Sequence, residues 1–311
     1  MPVLVLGAGY LGAALAARLC SAGQSVVGLE NGFATEWPAL EALEKECGDR
    51  LALRRGDIRD SAALDDALAA AAPVETIFLL AAQASAHAGA APAEYTEETN
   101  LRGPRLVLDA ALRHNAPRVV YGSSFRVYGG PLAGTVDEDR PYGSFRDLSH
   151  LSKIYAEKLG ELYTLQHNLA FSPVRLGIVY GVGPVMKRDP QFVTVPHAFA
   201  LNALRREPLV VNPGGSLGFI HLDDAVDALI AAPAVGYAPA NAVGEMLSVR
   251  DVASAVVEAA TERGIECAVS APGPVAPTER IVVTSRLERT GWLPSRTLWS
   301  TAGALLDYYA A

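Results

Sequence analysis

Three glycines near the start of the chain stand at fixed spacing between an apolar run and an alanine-rich stretch. In "VLVLGAGYLGAAL", Gly7, Gly9 and Gly12 form the pattern G-x-G-x-x-G. The first glycine allows a tight turn, the second lets the backbone approach a pyrophosphate, and the third lets a helix pack closely on a strand. The helix start then offers N–H groups to phosphate oxygens. This segment, including Tyr10 and Leu11, is therefore predicted to bind a dinucleotide.

An acidic residue ends the next β-branched run. Glu30 follows "SVVGL", 18 residues after Gly12, and no arginine or lysine directly follows it. An acid at this point accepts hydrogen bonds from the adenosine ribose and repels a 2′-phosphate, so NAD(H) is expected ahead of NADP(H). A solvated surface glutamate is the alternative interpretation. Four further residues are predicted to line the cofactor site, two on the adenine side and two at a strand end: Asp57 and Ile58, and Ala81 and Ala82.

The elements that must position these residues follow from the alternation of short β-branched runs with alanine-rich stretches. This alternation is typical of parallel strands joined by helices, which predicts an α/β fold with a doubly wound Rossmann sheet. Ligands of such sheets bind at the carboxyl ends of the strands. Six strands are predicted, at 3–7, 25–30, 51–60, 75–83, 118–124 and 171–181.

A change of texture after Gly181, where proline becomes frequent, predicts a smaller substrate-binding lobe. We expect residues 1–180 and 218–236 to form the dinucleotide-binding domain. The lobe is then built from 181–217 and 237–311, with a loop at 270–280.

Composition excludes several classes of partner. The chain has 311 residues, is 50% hydrophobic, and carries a net charge of −8, which argues against nucleic acid. Cys20, Cys47 and Cys267 are widely spaced and show no metal-ligand pattern, so no metal is expected. The apolar start lacks a basic segment and is interrupted by glycines, and later apolar stretches are too short to span a membrane. A cytoplasmic protein with a small-molecule substrate is expected.

An ordered set of motifs along almost the whole chain resembles the extended short-chain dehydrogenase/reductase family, the NAD-dependent epimerase/dehydratase group. No single motif is decisive, but their order is specific. They are "VLGAGYLG", "GDIRD", "FLLAAQAS", "NLRGPRLVLDAA", "VVYGSSFRVYG", "SKIYAEKL", "RLGIVYGVGP", "FIHLDDAVDAL" and "RTGWLP". The resemblance implies a Rossmann domain with a small C-terminal lobe, and a homodimer formed through a four-helix interface.

The resemblance also implies roles for three residues. Ser124, four residues before the tyrosine of "VYG", corresponds to the residue that hydrogen-bonds the substrate oxygen. Asn100 corresponds to an asparagine that supports the site through backbone and water contacts. Lys153 corresponds to the lysine that binds the nicotinamide ribose. The structural alternatives are a turn serine, a helix cap and a solvated lysine.

The family's catalytic tyrosine should precede Lys153 by four residues, on the same helix face, and Ser149 stands there. A serine hydroxyl is far less acidic than a phenol, so Ser149 is a poor acid or base. Tyr142, with Arg146 beside it, is an alternative that would enter from the preceding loop. Tyr155 faces elsewhere by helical phase, and His150, about 100° from Ser149, is expected on the surface. The proton is therefore expected from the substrate's own hydroxyl, or through a water relay involving Ser124, Ser149 and Lys153.

Two departures concern the substrate. Nucleotide-sugar members of the family have an asparagine where this chain has Ile178, and an arginine shortly before "FIH", where it has Leu217 and Gly218. Apolar residues follow, which fit an aromatic ligand or, alternatively, the core of the lobe: Val182, Val185, Met186, Phe192 and Phe199.

Three functions follow from these residues. The first is an NAD(P)H-dependent ketoreductase of antibiotic biosynthesis with a bulky polyketide or aromatic substrate. The second is a nucleotide-sugar epimerase or dehydratase. The third is a non-catalytic NAD(P) sensor, against which the retained Ser124 and Lys153 argue. Catalytic residues are predicted at Asn100, Ser124, Ser149 and Lys153.

Overall fold

The β-branched runs of the first 180 residues form one parallel sheet. A computed structural model describes residues 2–85, 87, 89–145, 147–187, 189–212, 214–273 and 280–311. In chain order, its strands are β1 (Val3–Leu6), β2 (Val26–Glu30), β3 (Leu51–Arg55), β4 (Thr76–Leu79), β5 (Arg118–Ser124), β6 (Gly134–Val136), β7 (Ala170–Leu176), β8 (Ile178–Tyr180), β9 (Leu209–Val210), β10 (Leu217–His221), β11 (Ala240–Ala242), β12 (Glu245–Leu247), β13 (Val269–Ser270) and β14 (Ile281–Val283).

The helices connect these strands and cover both faces of the main sheet. They are α1 (Tyr10–Ser21), α2 (Trp37–Cys47), α3 (Ser61–Ala70), α4 (Ala93–Glu97), α5 (Gly103–Arg113), α6 (Leu148–His167), α7 (Val195–Leu204), α8 (Leu222–Ala231), α9 (Val249–Thr261) and α10 (Leu298–Ala310). A π-helical turn, Glu98–Arg102, leads into α5.

The main sheet has the order β3-β2-β1-β4-β5-β7-β11, and all of its strands are parallel. The predicted doubly wound sheet is confirmed. From β1, the strands β2 and β3 are added on one side and the strands β4, β5 and β7 on the other. The crevice between β1 and β4, where this order reverses, is where such folds bind ligands.

Alternating side chains explain how the sheet is buried on both faces. In β1, Val3 and Val5 pack into the core beneath α1 and α8, whereas Leu4 and Leu6 pack into the core beneath α3 and α5. All four are at most 3% exposed. This follows from the two-residue period of a strand, which sends successive side chains to opposite faces.

A second, three-stranded sheet, β12-β10-β8, and the helices α7, α9 and α10 form the smaller lobe around a separate apolar core. The chain passes between the main domain and this lobe several times. Described passages run from β7 to β8, from β10 to α8, from β11 to β12, and from Trp292, which packs into the main-domain core, to α10.

Two predicted boundaries need correction. The strand expected at 171–181 is divided at Gly177, so that β7 belongs to the main sheet and β8 to the lobe. A side chain at Gly177 would come within 2.9 Å of the Gly218 carbonyl oxygen, and this close backbone approach is where the chain changes sheet. In addition, residues 237–311 do not all belong to the lobe, since β11 extends the main sheet and Leu287 and Trp292 pack into its core. Of the predicted loop 270–280, residues 274–279 lie outside the described part of the chain.

Candidate active site

A cavity of about 340 Å³ lies at the carboxyl ends of the main-sheet strands. Its lining includes residues that end or directly follow five strands: Gly7 after β1, Glu30 in β2, Leu80 after β4, Ser124 in β5 and Leu176 in β7. Parallel strands bring these positions to one edge, although they are far apart in the sequence. All of the predicted site residues except Asn100 line this cavity.

The glycine turn at one side of the cavity has no room for side chains. Gly7 has φ +91°, and a Cβ there would lie 2.4 Å from the Ala81 nitrogen. A Cβ on Gly12 would lie 2.1 Å from the Gly7 carbonyl oxygen. Gly9 precedes α1 without any side-chain cap, so the first N–H groups of the helix are left for a ligand. This arrangement fits a dinucleotide pyrophosphate.

Tyr10 and Leu11 also line the cavity, but Tyr10 has a second role. Its hydroxyl donates a hydrogen bond of 2.6 Å to the carbonyl oxygen of Gly181, near the lobe. Burial raises the pKa of Tyr10 well above its usual value, so this hydroxyl stays neutral and acts as a tether.

Glu30 lies at the end of β2, is 8% exposed, and lines the cavity. Its carboxylate accepts a hydrogen bond of 2.9 Å from the Gly32 N–H group. Burial raises the pKa of Glu30, while the hydrogen bonds from Gly32 and Asn31 oppose this rise. The position suits an acceptor for ribose hydroxyls, as the sequence predicts.

Asp57 and Ile58 line the same end of the cavity. The Asp57 carboxylate accepts hydrogen bonds from the Arg59 guanidinium at 2.7 and 2.9 Å and from the Asn31 amide at 2.8 Å. Burial raises the pKa of Asp57, but these donors outweigh it and hold the pKa below the usual value. Asp57 thus organises this end of the site as an ionised carboxylate.

Two aromatic side chains at this cavity, Phe33 and Tyr95, were not predicted, and they form a cluster with Phe192, which was predicted to meet the ligand. The Phe33 ring stacks on the Tyr95 ring with centroids 4.1 Å apart, and it meets the Phe192 ring edge-on at 5.8 Å. All three line the cavity. No spacing rule connects residues this far apart in the chain, so only the fold could reveal the cluster.

Ser124, Ser149 and Lys153 are brought together at the cavity from the end of β5 and the first turns of α6. The buried Lys153 ammonium donates a 2.7 Å hydrogen bond to the Gly122 carbonyl oxygen. Burial lowers the pKa of Lys153 to about 8, and the Glu157 carboxylate opposes this shift. Ser124 Oγ accepts a hydrogen bond of 3.2 Å from the Arg126 N–H group.

Asn100 acts on the backbone beneath this group. Its amide accepts a 2.8 Å hydrogen bond from the Gln83 N–H group and returns one of 2.8 Å to the Gln83 carbonyl oxygen. Ser149 Oγ donates to the same carbonyl oxygen at 3.1 Å. Asn100 and Ser149 therefore fix the backbone of Gln83, which directly follows Ala81 and Ala82. Both alanines line the cavity.

Tyr142 and Tyr155, the two tyrosines nearest to Ser149 in the sequence, both lie away from the cavity lining. The Tyr142 hydroxyl donates to the Glu157 carboxylate at 2.9 Å, and Tyr142 is not among the described cavity residues. Arg146 lies outside the described part of the chain. Tyr155 is 42% exposed on the outer face of α6. The alternative in which Tyr142 enters the site from the preceding loop therefore has no support in this arrangement.

His150 differs from the expectation of a surface histidine. It lines the cavity, and only 15% of its side chain is exposed. His150 lies about 100° from Ser149 around the helix axis, which suggested a different face. Lys153, however, lies between them, about 60° from His150 and about 40° from Ser149, so all three side chains can reach the same cavity.

The substrate end of the cavity is mainly apolar and carries two further cations. Of the five apolar residues predicted after Gly181, Phe192 lines the cavity. Val185, Met186 and Phe199 are buried in the cores instead, and Val182 is exposed on the surface. The apolar lining comes from Phe125, Leu176, Ile178, Val179 and Phe192, and the cations are Arg126 and Lys187.

Burial lowers the pKa of Lys187 to about 8. Within the described residues, no cluster of histidine, cysteine, aspartate and glutamate has the arrangement of a metal site. Likewise, none of the described helices combines the length and apolar character needed to cross a bilayer.

Known proteins that are similar to this chain include several UDP-glucose 4-epimerases. The UDP-glucose 4-epimerase of Bacillus subtilis is 26% identical over 185 residues, which cover 59% of this chain and 54% of that enzyme. The UDP-glucose 4-epimerase of Mycolicibacterium smegmatis is 30% identical over 267 residues, which cover 83% of this chain and 82% of that enzyme. The solved UDP-glucose 4-epimerase of Thermus thermophilus, in complex with NAD, is 25% identical, with a TM-score of 0.82 over 100% of this chain and 99% of that one.

The family match covers the part of the chain that builds the cavity. Residues 3–241, from β1 to β11, match the NAD dependent epimerase/dehydratase family. The predicted resemblance is confirmed by this match and by the parallel sheet with its glycine turn. The chain belongs to the NAD-dependent epimerase/dehydratase family.

Proposed function

We propose that this protein is an NAD(H)-dependent ketoreductase that reduces a carbonyl group of a bulky, non-nucleotide substrate of the aromatic or polyketide kind. The observation that carries the proposal is Ser149. It lines the cavity beside Lys153, at the position where a tyrosine would do the acid–base work. Proton removal from a sugar hydroxyl, which epimerisation requires, suffers more from this loss than ketone reduction does.

The residues at the cofactor end support NAD(H). The glycine turn fits the pyrophosphate, and Glu30 lies where it would accept hydrogen bonds from the ribose and repel a 2′-phosphate. Bound NADH supplies a hydride to the substrate carbonyl. NADP(H) is the alternative cofactor, which Glu30 disfavours.

The residues at the reactive end have separate roles in this proposal. The Ser124 hydroxyl hydrogen-bonds the substrate oxygen, and Lys153 binds the ribose and adds positive charge. Such preorganised donors stabilise a developing oxyanion and remain effective without the tyrosine. General acid–base help typically contributes about 10²–10⁴-fold, so its loss alone need not abolish reduction.

The apolar lining supports a substrate without a diphosphate. Ile178 stands where nucleotide-sugar enzymes of the family have an asparagine. Gly218 belongs to the segment in which those enzymes have a phosphate-binding arginine and this chain has none. Both residues line the cavity. Burying aromatic surface against Phe125, Ile178 and Phe192 would provide binding energy for a flat, apolar ligand.

A nucleotide-sugar epimerase or dehydratase is the second candidate. It is favoured by the similar UDP-glucose 4-epimerases, and by Arg126 and Lys187, two cations on the cavity that could meet a diphosphate. A non-catalytic NAD(P) sensor is the third candidate. The retained pair of Ser124 and Lys153 argues against it, because a sensor needs no group at the substrate oxygen.

One experiment separates the three candidates. The purified protein is incubated with NADH and a panel of aromatic ketones while nicotinamide fluorescence is followed, and the NAD-loaded protein is titrated with UDP-sugars. Consumption of NADH by a ketone, without diphosphate-dependent binding, supports the ketoreductase. Tight binding that requires the UDP diphosphate would reverse the ranking. Cofactor binding with no turnover and no sugar binding would favour the sensor. Lys153→Ala serves as the inactive control.

A further inference from the structure

The histidine in the first turn of α6, His150, lines the cavity, and a neighbouring carboxylate, Asp147, contacts its ring. We propose that His150 is the catalytic acid that protonates the substrate oxygen, and that Asp147 is its positioning residue. The inference rests on the proposed ketoreductase function. It replaces the substrate hydroxyl or water, expected from the sequence, by a group of the protein.

The contact between the two side chains is close. His150 Nδ1 lies 2.7 Å from one Asp147 carboxylate oxygen and 2.8 Å from the other. Asp147 is also the N-cap of α6, and the same carboxylate accepts the His150 backbone N–H at 2.9 Å. The imidazole is therefore attached to a rigid helix start at two points, which fixes the direction of its ring.

This contact determines which ring nitrogen can titrate. Burial raises the pKa of Asp147, but the hydrogen bonds from His150 and the charge of Arg126 outweigh it and hold the pKa below the usual value. An ionised carboxylate only accepts hydrogen bonds, so Nδ1 carries the proton. Nε2 is then the position that gains and loses a proton, as in other histidines oriented by a carboxylate.

The surroundings of the ring are those of a reactive site. His150 and Lys153 are three residues apart on α6, which makes them neighbours on the helix surface, and both line the cavity. Arg126, from the turn that follows β5, lines the cavity as well. Among the described residues, Asp147 contacts the imidazole, and Arg126 and Lys153 are two cations on the same cavity as His150.

The step balances with a dihydronicotinamide as the hydride donor. The substrate carbonyl carbon accepts the hydride, and the electron pair of its C=O π bond moves to the oxygen. That oxygen takes the proton from His150 Nε2, which leaves a neutral imidazole and an alcohol. Water then returns the proton to Nε2.

The test uses His150→Gln and Asp147→Asn, each with NADH and the ketone that the wild-type protein turns over. We expect His150→Gln to lower kcat by about 10²–10⁴-fold, with KM and NAD⁺ affinity nearly unchanged. Asp147→Asn keeps a capping side chain and should give an intermediate loss of kcat, because the amide can also donate to Nδ1 and no longer fixes the tautomer.

A matched control and a readout independent of turnover complete the test. His114 contacts Asp65 at 2.9 Å on the outside of the domain, so His114→Gln removes a similar pair without affecting kcat. Nitrogen-15 NMR of the histidine rings in the NAD-loaded protein should show neutral His150 protonated at Nδ1, and Asp147→Asn should weaken this tautomer preference.

Three outcomes would overturn the inference. Ketone reduction by His150→Gln within about threefold of the wild-type rate would leave the ketoreductase intact and return the proton to substrate or water. An Nε2-protonated neutral tautomer would contradict the orienting role of Asp147. Absence of any ketone turnover by the wild-type protein would remove the proposed function, and this inference with it.

Discussion

Ser149 and Lys153 illustrate how two side chains on one helix face contribute differently. Ser149 donates its hydroxyl proton to the Gln83 carbonyl oxygen, so it supports the loop rather than presenting a proton to the cavity. Lys153 is anchored on the Gly122 carbonyl oxygen and provides charge. At the residue scale, Ser149 thus has a structural contact, whereas Lys153 places a positive charge beside the cavity.

We expect Ser149→Ala to reduce kcat for ketone reduction by less than about tenfold. The Gln83 carbonyl oxygen keeps its hydrogen bond from Asn100, so the loop retains its support. Ser124→Ala is the matched serine variant and should lower kcat by about 10²-fold or more, because it removes a donor to the developing oxyanion. Steady-state rates with one ketone decide the matter. A loss above about 100-fold in Ser149→Ala would instead indicate a relay through Ser149.

We expect NADH affinity to depend on the charge of Lys153. Its pKa is about 8 without cofactor, and a ribose that prefers the ammonium binds less tightly once the proton is lost. The dissociation constant should therefore be constant below pH 7 and increase as pH rises above about 8. Calorimetric titrations from pH 6 to 10 measure this dependence. Lys153→Arg keeps its charge and should remove the dependence, and a variant that still follows the wild-type curve would contradict the assignment.

We expect Glu30→Gln to weaken NADH binding and to reduce discrimination against NADPH. The amide keeps the size of the side chain but accepts ribose hydrogen bonds less strongly and no longer repels a 2′-phosphate. Competitive binding of the two cofactors gives the ratio of their affinities. Glu41→Gln, an exposed glutamate in α2, serves as the control. An unchanged ratio in Glu30→Gln would show that Glu30 does not select the cofactor.

At the scale of elements, a buried charge network fixes α6 against the main sheet. Glu157, one turn beyond Lys153, pairs with Arg175 of β7 at 2.8 Å and accepts hydrogen bonds from Ser123 of β5 and from Tyr142. The side chains of Glu157 and Arg175 are each only 3% exposed. The network joins two strands to the helix and so sets the position of Lys153.

We expect Glu157→Gln to lower the free energy of unfolding by about 3 kcal/mol, because the Arg175 charge stays buried without its partner. Urea denaturation measures the loss. Glu161→Gln on the same helix is the control, since its pair with Lys158 is exposed and contributes less than about 1 kcal/mol. Equal effects of the two substitutions would mean that the buried pair does not hold the helix.

The elements were predictable where a local pattern decides the structure. The apolar run at 118–124 is β5, and the glycine turn lies where its spacing predicts. The strand at 171–181 was predicted as one piece because Gly177 meets the Gly218 backbone only in the folded chain. The seventh strand, β11, has the sequence "ANA", which carries no β-branched signal. His150 was misjudged because its contact with Asp147 depends on how α6 is capped.

At the scale of the whole molecule, α6 presents an apolar stripe that has no partner among the described residues of one chain. Leu151, Tyr155, Leu162 and Leu165 are between 42% and 79% exposed, and they recur with helical spacing. Two copies of such a stripe can bury each other across a two-fold axis.

We therefore expect a homodimer formed through α6, and we expect Leu165→Glu to shift it towards the monomer. Leu165 is 79% exposed, so the charge is tolerated in one chain but is buried on association. Light scattering after size-exclusion chromatography measures the mass. Leu293→Glu, at another site that is 66% exposed, should leave the dimer unchanged. A wild-type monomer at micromolar concentration would contradict the expectation.

The repeated passage of the chain between the main sheet and the lobe restricts how this protein can acquire new ligands. A lobe attached through several separate backbone connections cannot be re-aimed by altering a single hinge. New specificity must arise by exchanging side chains that already line the cavity, such as Ile178, which directly follows the passage from β7 to the lobe. Natural variation in this part of the chain should therefore record changes of chemistry, while the architecture around it stays constant.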